Sequence, residues 1–433
     1  MISIFWHRRD LRIHDNAALF KALKNGGQVQ PIFVFDETIL SKLPRDDQRV
    51  VFIHKEIERL KEEYKKLGAD LQVFYGNPIT LVPEIAGKLN ATSVYTNRDY
   101  EPYALERDQK IFEVLGSKDI AFTGAKDHVI FEKSEVLKGD GTPYTIFTPY
   151  SRKWKEKLNE LDLSSYEVEK EAGNLMQTNA SPLISLEEMD FEDKKKIEFP
   201  TRIFPEKIIH SYSETRDIPS ILGTSRLSLH LRFGTISIRE LARMAVKNNE
   251  TYLNELIWRD FYQMIIFHFP HSAKSAFRSK YDKIEWERNE EHFTAWCAGK
   301  TGYPLVDAGM RELNETGFMH NRVRMVVASF LTKHLLLDWR LGEGYFAEKL
   351  LDFELASNVG GWQWAAGCGC DAAPYFRVFN PTSQQEKFDK KFSYIQKWVP
   401  EFGTPDYPNP IIDHKFARER VIERYKKALN ESI

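Results

Sequence analysis

The sequence predicts two domains of different class: an α/β domain of the doubly wound parallel-sheet type over residues 1–130 and an all-α domain over residues 204–433, joined by a long linker over residues 131–203. Three observations carry this. Over the first hundred residues, short apolar or β-branched runs alternate with helical patterns, as they do when helices connect the strands of a parallel sheet. From Tyr150 to about Pro205 the chain turns charged and weakly periodic, the composition of a surface connection. From Phe204 onward strand signals nearly vanish and helical periodicity takes over.

Composition sets the outer bounds. The chain has 433 residues, 42% hydrophobic and 29% charged, enough for two or more cores. A formal net charge of -2 supplies no global positive field, so any nucleic-acid site must be a local patch. The three cysteines, Cys297, Cys368 and Cys370, are too few and too odd a number for a disulfide framework and imply a reducing compartment. The Cys-Gly-Cys pair has no second Cys or His cluster near it and reads as buried free thiols, with no metal expected. The N-terminus, MISIFWHRRDLRIHDN, turns charged at once and lacks a signal peptide's apolar core. No run approaches the roughly 20 apolar residues of a membrane span. The expectation is a soluble cytoplasmic protein with no membrane partner.

In chain order, strands are expected at 2–6 (ISIFW), 29–35 (VQPIFVF), 71–75 (LQVFY) and 93–96 (SVYT), with helices at 16–25, 47–67 and 79–89. Such a sheet offers a ligand crevice at the carboxyl ends of its strands. The first strand runs into HRRDLRIHDN without a GxGxxG, so the dinucleotide fingerprint is absent. The arginines and histidines there either line an anion site or form a salt-bridged loop, and the loop is the simpler reading. The linker should hold one or two short helices, and 193–196 a solvated charged face.

The helical half carries the unusual chemistry. In GTSRLSLHLRFG, Thr224, Ser225 and Ser228 bring hydroxyls and Arg226 a cation. Thr224 or Ser225 would cap a helix whose N–H groups face an anion, although an ordinary N-cap explains the string as well. In YLNELIWRDFYQMII, Glu255, Trp258, Arg259 and Tyr262 fall at i, i+3, i+4 and i+7, while Leu and Ile occupy 256, 257, 265 and 266. One face is then acid, indole, cation and phenol. It suits stacking on bases and gripping phosphate, or else a salt-bridged surface. Asn321, Arg324 and Met325 share a face by spacing. The stretch from Asp352 to Pro381 is poor in Lys and Glu and crowded with Gly, Ala, Asn and aromatics, unlike a solvated surface helix. Its small residues let other groups approach the backbone, and a helix would point Asn358 and Trp362 the same way. A glycine-rich buried helix is the plain alternative. Of the 9 tryptophans, all but Trp6 and Trp154 lie beyond residue 250.

These segments, with WHRRDLRIHDN at the start and RDYEPYALERD at 98–108, resemble the photolyase and cryptochrome family over nearly the whole chain, and within it the class I members that repair cyclobutane pyrimidine dimers. The resemblance implies an antenna domain followed by a helical domain that binds FAD and DNA. It implies that Tyr212, Thr224, Ser225, Arg226, Leu227 and Ser228 surround the flavin pyrophosphate, and that Tyr252, Arg324, Asp352, Phe353, Glu354 and Asn358 also contact FAD. Asp352 should pair with Arg324 beside the ring, and Asn358 should face its reducible nitrogen. Glu354 stands where Asp is common, Tyr252 where Trp often occurs, and Phe318 replaces a frequent Trp. Glu255 would hydrogen-bond the dimer and Trp258 pack against it. Arg216, Arg259, Tyr262, Asn321, Arg322, Met325, Trp364, Arg377 and Gln384 fall at substrate- or DNA-facing positions. Asn321 and Met325 form the pair of cyclobutane-dimer repair, where members that repair (6-4) photoproducts carry His at both.

Trp362, Trp339 and Trp286 match the family's electron-transfer tryptophans, proximal to distal, and with Glu255 and Asn358 are implied to carry the chemistry. The implied activity is light-driven electron transfer from reduced FAD to a dimer flipped out of UV-damaged DNA, by a monomer. Folate-antenna members carry Asn-Glu where this chain has Tyr103-Ala104, a departure that argues against a folate antenna and leaves its identity open among a deazaflavin, another flavin or no second chromophore. A cryptochrome-like blue-light photoreceptor would share fold and flavin, and a dark flavin oxidoreductase is a third class.

Overall fold

Five short strands form one parallel sheet in a computed structural model of the chain, which describes residues 1–25 and 27–430. They are β1 (Ile2–His7), β2 (Gln28–Asp36), β3 (Gln72–Gly76), β4 (Ser93–Asn97) and β5 (Ala121–Ala125), in the order β3-β2-β1-β4-β5. Ile4 lies opposite Gln30 on one side and Val94 on the other. Ile4, Trp6, Ile32, Val34 and Val94 are buried with Val82, Ile111 and Leu115 of the crossover helices, which is why the strands read as unbroken apolar runs. Three helices start where the sequence places them, each behind a side-chain cap. Asn16 accepts from Leu19 N ahead of Ala17–Lys24, Asp47 from Arg49 N ahead of Gln48–Lys66, and Asn77 from Ile79 N ahead of Pro78–Lys88.

The strand order reverses between β1 and β4, and polar side chains fill that point. Asn97 Nδ2 donates to Asp10 Oδ2 (2.5 Å) and to Asn16 Oδ1 (2.8 Å), and its own Oδ1 accepts from Ala18 N (3.0 Å). The arginines after β1 are all spoken for: Arg8 pairs with Asp108 (2.6 Å), Arg9 with Asp99 (3.1 Å) and Arg12 with Asp127 (2.8 Å). The loop is the salt-bridged one, and the anion site is not what these side chains serve.

The chain divides into two compact units. The first is Met1–Glu135, Lys155–Phe204 and Arg226–Lys247; the second is Val136–Trp154, Pro205–Ser225 and Asn248–Ile433. The stretch 131–203, expected as a linker, is therefore shared between them. Its later part packs on the first unit, where Met176 N donates to Val29 O (2.9 Å) and Ser181 Oγ to Asp70 Oδ2 (2.6 Å). Its earlier part joins the second unit, where Trp154 Nε1 donates to Asp260 Oδ2 (3.0 Å). The second unit is helical, with Trp296, Trp339, Trp362, Phe330 and Phe346 in its core. Cys368 and Cys370 are buried free thiols there, both pushed up to about 12 by burial. Among the described residues no helix is long and apolar enough to cross a membrane.

Candidate active site

Two helices of the second unit, Glu250–His268 and Leu355–Ala366, form the floor and wall of the candidate site. The first is capped by Asn249, which accepts from Tyr252 N; the second ends on Gly367 in the left-handed conformation, φ 85°. They approach closely because of one glycine: a Cβ on Gly360 would stand 2.3 Å from the Tyr262 ring. Likewise a Cβ on Gly342, in the Trp339–Lys349 helix, would stand 2.1 Å from the Trp362 indole. The open side of Leu355–Ala366 carries Asn358 and, three residues on, Gly361. Gly361 is exposed, and beyond its own helix backbone and chain neighbours nothing among the described residues lies within 4 Å of where its Cβ would be. That leaves a cradle where a flat ring can lie against backbone.

Polar groups surround the cradle. Arg324 pairs with Asp352 at 3.0 Å, the partner expected for it, and its Nε donates to Met319 O (2.7 Å). Asn358 Nδ2 donates to Glu343 Oε1 at 2.8 Å. Burial pushes the Glu343 carboxyl up, and the Asn358 hydrogen bond opposes this. Phe353 is half-buried beside Asp352 in the chain. Glu354 is buried, accepts from Ser357 Oγ (3.0 Å) and pairs with Arg259 at 2.8 Å. Arg259 is among the residues expected to grip phosphate or to form a salt-bridged face. Its guanidinium is a tenth exposed and committed to an internal carboxylate.

The expected helix cap also falls elsewhere. The helix after GTS runs Ser228–Phe233, its cap position is Leu227, and no side chain caps it. Arg226 precedes it with φ 53°, a left-handed turn that separates Thr224 and Ser225 from the helix start. Ser225 Oγ instead shares a hydrogen bond with Tyr252 OH (2.8 Å), and Tyr212 meets Tyr252 edge-on at 5.0 Å. Thr224 is half-buried beside Ser225 in the chain. Arg226, Leu227 and Ser228 belong to the first unit.

The rim is a set of ion pairs over aromatic rings. Arg216 binds Glu255 at 2.6 Å and lies over the Tyr212 ring. Burial pushes the Glu255 carboxyl up while Arg216 pulls it down, and the net shift is upward. Arg322 binds Asp217 at 2.6 Å, lies 4.4 Å over the Phe388 ring and stands 3.7 Å from Met325 Sδ. Asn321 is exposed at the start of the Asn321–Ser329 helix. Trp258 stacks face to face on Phe147, ring centroids 3.7 Å apart, and meets Tyr262 at 5.4 Å. Trp364 and Arg377 both face the Phe379 ring, and Gln384 is half-buried in the Pro381–Phe388 helix. Trp362 and Trp339 are buried; Trp286 is half-buried, edge-on to Tyr425 at 6.1 Å.

Three residues here escaped the sequence reading. Glu343 falls four residues after Trp339, so helical spacing alone puts a carboxylate on the tryptophan's face. Phe147 lies in the stretch read as linker, where nothing marks it. Trp296 is fully buried and meets Trp362 edge-on at 6.1 Å, but was indistinguishable from core.

The open helix face, with the Asn358 amide oxygen and the Arg324–Asp352 pair at its edge, fits an isoalloxazine ring, which presents carbonyl acceptors and a ring N–H. Fold and site together define a flavin-binding enzyme built from a parallel-sheet unit and a helical unit. Residues 3–169 match the family model described as DNA photolyase, and residues 252–405 the one described as FAD binding domain of DNA photolyase. A deoxyribodipyrimidine photo-lyase of Halobacterium salinarum is 36% identical, covering 99% of both chains. A bacterial class III photolyase from Agrobacterium tumefaciens superposes with a TM-score of 0.85 at 31% identity, over 99% of this chain and 98% of that one. An archaeal photolyase from Sulfolobus tokodaii, solved with two FAD molecules, gives 0.84 at 35% identity, over 99% and 100%. The chain belongs to the DNA photolyase family, and its cofactor is FAD.

Proposed function

We propose that the chain repairs cyclobutane pyrimidine dimers in UV-damaged DNA under blue light, as a monomer, with the dimer turned out of the helix into the mouth of the cradle. Extrusion is the general solution for enzymes that act on a base, photolyases among them. FAD, bound and reduced, supplies on illumination the electron that opens the cyclobutane ring, which is chemistry of the cofactor and not of the protein. The protein binds, orients and holds protons. Arg324 and Asp352 hold each other at the cradle edge, and Asn358 presents its amide to the ring. Glu255, whose carboxyl burial pushes up while Arg216 binds it, stabilises the negative charge that develops on a pyrimidine carbonyl, by a hydrogen bond or a shared proton. Phe147 fixes the plane of Trp258, and Asn321 and Met325 line the same approach without an acidic group. Trp286, Trp339 and Trp362 carry an electron inward, since indole tolerates brief one-electron oxidation.

One observation carries the reading: Glu255, held by Arg216 beside the Tyr212 ring, lies on the helix that packs against Asn358's helix through Tyr262 and Gly360. Irradiating chemically reduced protein with a dimer-containing oligonucleotide tests it. Restored monomer bases support repair; intact dimers, with flavin bound, favour a cryptochrome-like photoreceptor. We further infer that folate is not the antenna. Tyr103 OH donates to Asp36 Oδ2 at 2.7 Å, in the place where folate-binding members carry Asn. A folate band in the absorption spectrum would refute this.

A further inference from the structure

The helix Phe147–Lys157 is fastened to Glu250–His268 at two of its later positions. Ser151 Oγ donates to Asn254 Oδ1 (3.1 Å), and Trp154 Nε1 donates to Asp260 Oδ2 (3.0 Å). Its first turn is fastened differently. The Phe147 N–H is a helix-start donor, which has no acceptor within its own helix. It donates to Asp371 Oδ2 (3.2 Å), and Asp371 N donates in turn to Thr145 O (3.1 Å). A carboxylate 224 residues away in the chain thus caps this helix, at the end where the helix dipole favours negative charge.

The capped residue is the one that meets Trp258. Phe147 and Trp258 stack with ring centroids 3.7 Å apart and planes within 4°. Aromatic pairs prefer offset or edge-on arrangements with centroids about 4.5–7 Å apart, so a contact this close and parallel needs both backbones held. Trp258 sits in the middle of Glu250–His268, a helix capped by Asn249. Phe147 sits at a helix end, and helix ends fray unless they are tied. Asp371 supplies the tie. Its own backbone is left-handed, φ 47°, a conformation that Asp adopts more readily than most residues. Burial pushes its carboxyl up, and the bond from the Phe147 N–H opposes this.

We propose that Asp371 is a positioning residue of the repair site: by capping the helix at Phe147 it holds that ring flat on Trp258 and sets the plane in which Trp258 meets the dimer. The inference rests on the reading of the site as a dimer-repair site. It goes beyond that reading in assigning a residue that acts through another. Undamaged DNA offers Trp258 no extruded base, so the loss of this plane costs discrimination and not general binding.

Three variants of the FAD-loaded protein test it. Asp371→Gly removes the carboxyl and leaves the left-handed backbone unstrained. Asp371→Asn keeps an acceptor at the same place, and Phe147→Leu removes the ring. Affinity is measured for a duplex with one cyclobutane dimer and for the same duplex undamaged, with bound FAD quantified alongside. Asp371→Gly should lose roughly fivefold in affinity for the dimer-containing duplex, about 1 kcal/mol, and stay within about twofold on the undamaged one. Asp371→Asn should keep the preference. Asp371→Gly combined with Phe147→Leu should lose no more than Phe147→Leu alone, because the first acts through the second. Losses that add, an equal loss on both duplexes, no loss on either, or an Asp371→Asn as poor as Asp371→Gly overturn it. Loss of folding or of bound FAD in Asp371→Gly also overturns it, because the carboxylate would then serve the fold as a whole. Failure of the underlying site reading shows differently: the unmodified protein would not prefer dimer-containing over undamaged DNA, and both readings would fall together.

Discussion

Glu343 holds the side-chain amide of Asn358 by its donor end: Nδ2 lies 2.8 Å from Glu343 Oε1 and 3.1 Å from the Glu343 backbone oxygen. A backbone oxygen only accepts, so the nitrogen must point that way and Oδ1 is left for the cradle. Asn358→Asp places a second carboxyl against Glu343 and removes the donor. It should change the rate of flavin photoreduction and the flavin reduction potential, by tenfold or more in rate if one charge-assisted bond of about 1.5–3 kcal/mol is at stake. Glu343→Gln keeps an acceptor and should stay near the unmodified protein. Photoreduction unchanged in Asn358→Asp would remove the role.

Arg259 and Glu354 form an ion pair that is nearly sealed from water. Removing one member leaves the other charged and buried, so Arg259→Ala should cost about 3–5 kcal/mol of stability. The double variant Arg259→Met, Glu354→Leu should cost clearly less than the sum of the two single losses. Denaturant unfolding measures both. A single-variant loss below about 1 kcal/mol would mean that water reaches the pair.

Trp362 is buried against Phe346 at 5.0 Å and fills the space over Gly342. Trp362→Phe keeps an aromatic core residue but raises the cost of one-electron oxidation. Photoreduction of oxidised FAD should nearly stop, and repair by chemically reduced protein should remain. Loss of both activities, or of neither, contradicts the assignment.

Lys333 gives a pH signature. Its ammonium is buried, donates to Ala366 O (2.8 Å) and Tyr375 O (3.4 Å), and lies 3.9 Å from the Tyr425 ring centroid. Burial pushes it down from 10.5 to about 7, opposed weakly by Cys368. Between these values the unfolded chain holds a proton that the folded chain has released, so stability rises with pH across that window and is flat below it. Relative to Lys333→Met, the unmodified protein should gain up to about 1.4 kcal/mol per pH unit from pH 7 upward. A difference that does not vary with pH would show that Lys333 keeps its proton in the fold.

What the sequence disclosed follows the range of the forces involved. Burial period and caps are local, so β1 to β4 and their helices are legible from runs such as ISIFW and from Asn16, Asp47 and Asn77. The fifth strand, AFTGA, has no apolar run to betray it. Helical spacing put Glu255, Trp258, Arg259 and Tyr262 on one side, but it could not choose their partners. Arg259 meets Glu354 from 95 residues away, and Trp258 meets Phe147 from a stretch that reads as connection. Ser225 looked like a cap because nothing in the string announces the left-handed turn at Arg226. Partner choice is set by packing, and resemblance anticipated it only for Arg324 and Asp352.

The most direct measurement is dimer repair by the fully reduced, FAD-loaded protein under blue light, against a dark control. The account predicts that a defined thymine dimer in DNA is converted to two thymines only in the light, and that Glu255→Gln, which keeps a hydrogen-bond donor, retains more of this activity than Glu255→Ala. Dimers left intact after irradiation of reduced protein that holds its flavin and binds the substrate would contradict it.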